Sequence, residues 1–156
     1  MKEKFFMKNA VEEAEKGVVS NNGGPFGAVI VKDDKIIASA HNEVLKTKDP
    51  TAHAEILAIR KASKVLGSFD FSGCSIYSTC EPCPMCLSAI LWAKISRLYY
   101  GCTSKDAARI GFRDEHIYKH IKGLKKTKHL MIEQMQKEVC CEVFNTWENK
   151  KDKSIY

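Results

Sequence analysis

The chain has no apolar run near the ~20 residues that a membrane-crossing helix requires, which excludes a helical span. Its opening residues, Met-Lys-Glu-Lys-Phe-Phe-Met-Lys, lack the apolar core and small-residue cleavage site of a signal peptide. Internal repeats, low-complexity tracts and linker-like stretches are also missing. One domain over residues 1–156 is therefore expected, and that length is enough to bury a sizeable core. The seven cysteines are an odd number, which argues against a fully paired secreted scaffold and for a reducing, cytoplasmic setting. A hydrophobic content of 44% with 28% charged residues fits an ordinary soluble globular protein.

The net charge is +6, and lysines gather late, at Lys119, Lys122, Lys125, Lys126, Lys128, Lys150, Lys151 and Lys153. That set reads either as a solvated face or as a phosphate-binding patch for an RNA partner.

Two short segments carry chemistry. Thr51-Ala52-His53-Ala54-Glu55 puts an imidazole and a carboxylate two residues apart; Cys80-Glu81-Pro82-Cys83-Pro84-Met85-Cys86 puts the thiols of Cys83 and Cys86 three apart. Each runs into a helix-like stretch. If both open helices, these ligands meet at paired helix N-termini, where the dipole favours thiolates. Zinc binds such nitrogen and sulfur donors in a tetrahedron, and three protein ligands leave the fourth corner to water, as in a catalytic centre. The full pattern, H-x-E…P-C-x-x-C, is the signature of zinc-dependent nucleobase deaminases. His53, Cys83 and Cys86 are thus the expected ligands of one Zn2+ per chain with water as the fourth ligand, and Glu55 is the expected proton shuttle.

Other readings stand beside this one. His53 can be a satisfied core histidine with Cys83 and Cys86 as small buried hydrophobes. A redox C-x-x-C is a second reading, although no thioredoxin-like βαβ context precedes it. A four-ligand structural zinc would need a further donor such as Cys80 or Cys74.

Along the chain, Phe5, Phe6, Val11, Ala14 and Val18 suggest an amphipathic helix over about 4–19. Residues 26–31 form an almost unbroken apolar run, expected as a buried strand that pairs across Asp33-Asp34 with a second strand over 35–41. His41 and Asn42 sit where that second strand ends; an Asn there is a turn residue or a reader of a base edge. The first metal helix runs to about Leu66, with Ile56, Ile59 and Val65 expected toward the sheet. Further strands are expected over 74–78, 95–101 and 130–134, with Ile90, Leu91 and Trp92 as core and a last amphipathic helix marked by Cys140, Val143, Phe144 and Trp147. The alternation predicts an α/β fold, a three-layer α/β/α sandwich around a central five-stranded sheet.

Four stretches now carry a resemblance: 24–31 (Gly-Pro-Phe-Gly-Ala-Val-Ile-Val), Asp49 to Glu55, Cys80 to Cys86, and Gly111-Phe112…Asp114…Ile117-Tyr118-Lys119, with Trp147 and Tyr156 near the end. With these the chain resembles the cytidine deaminase superfamily and, within it, the bacterial guanine deaminases of that fold. The resemblance implies a mixed central sheet, zinc on His53, Cys83 and Cys86, and proton transfer by Glu55. It further implies that Asn42 and the Ala54 backbone hold the base, that Phe26 lines the pocket, and that Asp114 recognises the purine or assists proton transfer. A homodimer is implied, with the segment over about 137–156 crossing to the partner and Tyr156 helping to close a site. The expected reaction is guanine to xanthine and ammonia, with a small purine as partner. The alternatives are a tRNA adenosine deaminase, or a deaminase of another free base or nucleoside such as cytosine or guanosine. A nucleic-acid partner is disfavoured, because Phe26 and an aromatic tail suit a small closed pocket better than a flipped nucleotide.

Overall fold

The computed structural model describes residues 2–123, 134–137, 141, 144, 148, 149 and 151. Its first element, α1 (Lys2–Val19), buries Phe6, Ala10, Ala14 and Gly17, a three-to-four-residue spacing that makes one helical face. Phe5, Val11 and Val18, expected on that face, are exposed instead. The small residues form the packed stripe because they let the helix lie close to the sheet.

The sheet has four strands among the described residues: β1 (Gly27–Lys32), β2 (Lys35–His41), β3 (Ser75–Cys80) and β4 (Arg97–Cys102), in the order β2-β1-β3-β4. β1 pairs antiparallel with both β2 and β3, and β3 pairs parallel with β4, so the sheet is mixed. The β1–β2 hairpin turns at Asp33 and Asp34, whose φ angles of 48° and 60° are those of the tight turn that suits the twist of paired strands. β1 reads as a continuous apolar run because both of its faces are covered. Val29 and Val31 pack with Phe6 and Ala10 of α1 and with Tyr77, while Ala28 and Ile30 pack with the opposite layer.

That opposite layer is built by α3 (Ala54–Leu66) and α4 (Pro84–Trp92); a short α2 (Val44–Thr47) precedes it. Ala54, Ala58 and Ala62 form the buried stripe of α3, and Gly67 ends the helix in the left-handed region at φ 59°. The expected phase of α3, weighted to its largest apolar residues, holds for Ile59, which packs half-buried against the core, and fails at Val65, which is 63% exposed. In α4, Ile90 is core as expected, whereas Leu91 and Trp92 are 68% and 69% exposed.

Helices on both faces of a mixed sheet give the expected α/β/α sandwich, with four strands where five were expected. The expected fifth strand falls outside the described residues except for Gln134, and most of the expected last helix, Trp147 and Tyr156 lie outside them as well. Beyond β4 come α5 (Ser104–Arg109) and α6 (Glu115–Ile121).

Candidate metal centre and substrate cavity

His53 and Cys83 are the N-cap residues of α3 and α4, each in extended backbone, and neither side chain caps its own helix. Pro84 occupies the first turn of α4, where a missing N–H costs little. The two helix starts therefore face each other with their donors free. His53 Nδ1 lies 3.6 Å from Cys83 Sγ and 3.5 Å from Cys86 Sγ, and the three ligand atoms lie within 4.8 Å of one another. A zinc tetrahedron with ordinary Zn–S and Zn–N bonds has N···S edges of about 3.6 Å. The donor set and its spacing fit that ion.

The electrostatics agree. The Cys83 thiol is drawn down to about 4, first by a hydrogen bond from the Cys86 thiol and then, against burial, by the His53 ring and the Cys86 backbone N–H. Cys86 is pushed up, because its proton is shared with the neighbouring sulfur and the site is buried. Two touching thiols release one proton readily and keep the other until a cation arrives. Among the described residues no fourth donor joins the cluster. Cys80 instead points its thiol at the Thr103 carbonyl, 3.6 Å away, and burial pushes it up to about 11; Cys74 is fully buried in the core. The structural four-ligand alternative is thereby left without its donor among the described residues.

Glu55, two residues beyond His53, is only 6% exposed yet lines a cavity of about 460 Å³. Its Oε1 accepts a hydrogen bond from Ser78 Oγ at 3.1 Å, and burial raises its carboxyl above the usual range against that bond. A buried carboxyl that holds its proton more tightly than usual can serve as an acid as well as a base.

The same cavity is lined by Phe26, Asn42 and Asp114. Asn42 is 4% exposed, and its Oδ1 accepts from the backbone N–H groups of Gly24 at 3.3 Å and Val44 at 3.1 Å. Its amino group, Nδ2, has no partner among the described residues and is the atom left for a ligand. Gly23 makes room for this: a Cβ there would come within 2.1 Å of Asn42 Oδ1. Asn42 is thus both the turn residue and the candidate base reader. Asp114 stands at the N-cap of α6 without capping it, so its carboxylate stays available, and burial together with Cys83 and Glu81 raises it. Ala54 is fully buried and does not line the cavity with its side chain; its backbone N–H lies in the first turn of α3, where no intrahelical acceptor exists.

A model of the cytidine and deoxycytidylate deaminase zinc-binding region matches residues 1–102. Guanine deaminase of Bacillus subtilis is 46% identical over the full length of both chains. The chain belongs to the cytidine and deoxycytidylate deaminase family. The X-ray structure of the Bacillus subtilis guanine deaminase superposes with a TM-score of 0.92, covering 98% of each chain. The tRNA-specific adenosine deaminase of Aquifex aeolicus is 43% identical, over 67% of this chain and 69% of that one. The family is a zinc-binding one, and the centre at His53, Cys83 and Cys86 is its candidate here.

Within this deaminase fold the cavity holds residues that the motifs did not reveal. Phe112 stands edge-on to Phe26, with ring centroids 4.9 Å apart and an interplanar angle of 85°. Glu81 bridges the metal segment to α5: its Oε2 accepts from Ser104 N at 2.9 Å, and its own N–H donates to the Cys102 carbonyl at 2.8 Å. α5 itself is fixed by a capping box between Thr103 and Asp106. The place of Phe112, between Gly111 and Asp114, was its only sequence signal. Of the late lysines, Lys119 pairs with Glu115, while Lys125, Lys126, Lys128, Lys150 and Lys153 lie outside the described residues.

Proposed function

We propose that this protein hydrolyses guanine to xanthine and ammonia, with one zinc ion per chain held by His53, Cys83 and Cys86 and the fourth position left to water. The observation that carries the reading is a buried, non-ligand Glu55 beside the three donors in a cavity whose other walls are aromatic and polar. A zinc ion held by these three residues would supply the nucleophile by lowering the pKa of its water to about 7. Glu55, anchored by Ser78, takes the proton of the attacking water and passes it to the ring nitrogen beside the amine-bearing carbon; it then moves the proton of the newly added hydroxyl to the amine, so that the C–N bond breaks, ammonia leaves and the carbonyl forms. Asn42 Nδ2 donates to an acceptor on the base, and the first-turn amide of Ala54 faces the same edge. Asp114 accepts from purine N–H groups, and Phe26 with Phe112 stacks against the ring plane. End-to-end similarity to the Bacillus subtilis guanine deaminase supports guanine over tRNA adenosine, since the Aquifex aeolicus tRNA-specific enzyme matches only 67% of the chain.

The deaminase domain spans residues 1–156 in this reading and works in the cytoplasm, in purine metabolism. It acts as a homodimer, with about 137–156 crossing between subunits and Tyr156 closing a site. An exposed apolar surface at Leu87, Leu91 and Trp92 of α4 supports the dimer; light scattering that gives a monomer at micromolar concentration would refute it. The chemistry is tested by ammonia release from guanine, guanosine, adenine, cytosine, cytidine and a tRNA, each with zinc-loaded protein. Guanine is expected to show the highest kcat/KM. Faster turnover of any nucleoside or of the tRNA, with salt-dependent tRNA retention, would overturn the assignment.

A further inference from the structure

His41 lies outside the metal centre and has no part in the chemistry above, yet it is the hub of a half-buried polar cluster behind the cavity. Its Nδ1 is 3.2 Å from Glu13 Oε2 on α1, and its Nε2 is 2.8 Å from Asn22 Nδ2. Both contacts are satisfied by one tautomer: Nδ1–H donates to the carboxylate, and Nε2 accepts from the Asn22 amino group. Glu43 Oε1 stands 3.5 Å from Nε2; Lys16 pairs with Glu13 and Lys46 with Glu43. The His41 side chain lies against Gly17, where a Cβ would come within 2.9 Å of it, so α1 is notched to admit it.

The cluster reaches the cavity through Asn22. While its side chain is held by His41, its carbonyl accepts from the backbone N–H groups of Leu45 and Lys46, each at 3.0 Å. The Val44 N–H is held by Asn42 Oδ1, and Val44, Leu45 and Asn42 all line the cavity. We propose that His41 is a positioning residue: with Glu13 and Asn22 it clamps residues 42–47 against α1 and so fixes the direction in which Asn42 Nδ2 meets the substrate. The proposal rests on the base-holding role given to Asn42 above. It makes substrate affinity depend on a helix on the far side of the sheet from the metal.

The test uses the zinc-loaded full chain. His41→Ala is expected to raise the guanine KM about tenfold, the worth of a lost positioning hydrogen bond, with kcat changed by less than about threefold. The same variant is expected to speed hydrogen exchange at the Val44, Leu45 and Lys46 amides. His41→Gln, which can donate to Glu13 and accept from Asn22, is expected to restore most of both. If His41→Ala does not fold, Asn22→Ala removes the same side-chain bond while keeping the carbonyl, and should move KM and exchange in the same direction. Unchanged KM and exchange, a kcat loss at constant KM, or a Gln variant no better than Ala would overturn the clamp. If wild-type protein releases no ammonia from guanine, the functional reading fails, and exchange at these three amides still decides the clamp.

Discussion

The two walls of the cavity are made differently. The metal wall is two helix starts, α3 and α4, whose functional side chains are buried or half-buried and locked by core packing behind them. The facing wall is turns and short helices: Gly23, Asn42 and Leu45 on one side, Phe112 and Asp114 on the other, with Leu45 58% and Phe112 46% exposed. Chemistry shared by a whole family belongs on the wall that cannot shift, because catalytic groups tolerate little misplacement. Substrate choice belongs on the wall that sequence change can remodel without unmaking the fold. The difference predicts that substitutions on the first wall abolish turnover of every substrate, while those on the second change which substrate is preferred.

The largest effects should come from the metal wall. Cys83→Ala should lose zinc, read by metal analysis of the purified protein, and with it all deamination. Retained zinc and activity would move the centre elsewhere. On the facing wall the losses should be smaller and selective. Asp114→Ala should lower guanine kcat/KM by about 10- to 100-fold, the range of a lost charged hydrogen bond, and should narrow the gap between guanine and adenine. An equal loss for both purines would erase the distinction between the walls. Behind the walls, Ala58→Leu overpacks the α3 stripe and should cost about 1–3 kcal/mol in denaturant unfolding. Val65→Ala on the same helix, at a 63% exposed position, should be nearly neutral.

The smallest expected effect is a difference of sign between two carboxylates. Burial, joined by Cys83 and Glu81, raises Asp114 above its ordinary 3.8. Its folded form binds protons more tightly than the unfolded chain, so stability falls as pH rises through 3.8 to the raised value and stays reduced above it. Asp114→Asn should therefore raise Tm at pH 7 (while lowering activity), and the gain should vanish below about pH 3.8. Asp70, far from the cavity, is held down to about 2 by the Ser72 side chain and backbone N–H and by Lys94. Its stabilisation is full above 3.8 and is lost as pH falls through about 2, so Asp70→Asn should lower Tm at pH 7. Shifts of one sign for both would contradict the view that the cavity carboxylate is held at a cost in stability for its function.

The same contrast explains what could be read without coordinates. Ligand type and spacing are local, so the clustering of His53, Cys83 and Cys86 as a candidate centre was legible from the chain alone, and the structure adds which imidazole nitrogen faces the sulfurs. The strands were legible within about two residues, because β1 is apolar throughout and β2 follows a two-residue turn. Helix phase was less legible. Size-weighted periodicity favoured Val65, Leu91 and Trp92, whereas the close helix–sheet contact selects alanines at 54, 58 and 62. The partners of Phe112, Glu81 and His41 were not legible, since each lies tens of positions away in the chain. Glu81 meets Ser104, Phe112 meets Phe26, and His41 meets Glu13. Such pairings depend on how the chain closes, not on any local pattern.

The most direct measurement takes zinc content and guanine turnover on one sample of Glu55→Gln. The account predicts one zinc per chain, as in the wild type, with kcat lower by about 10³-fold or more, because this carboxyl moves protons and does not hold the metal. Turnover within a few-fold of wild type, or loss of the ion with the carboxylate, would contradict it.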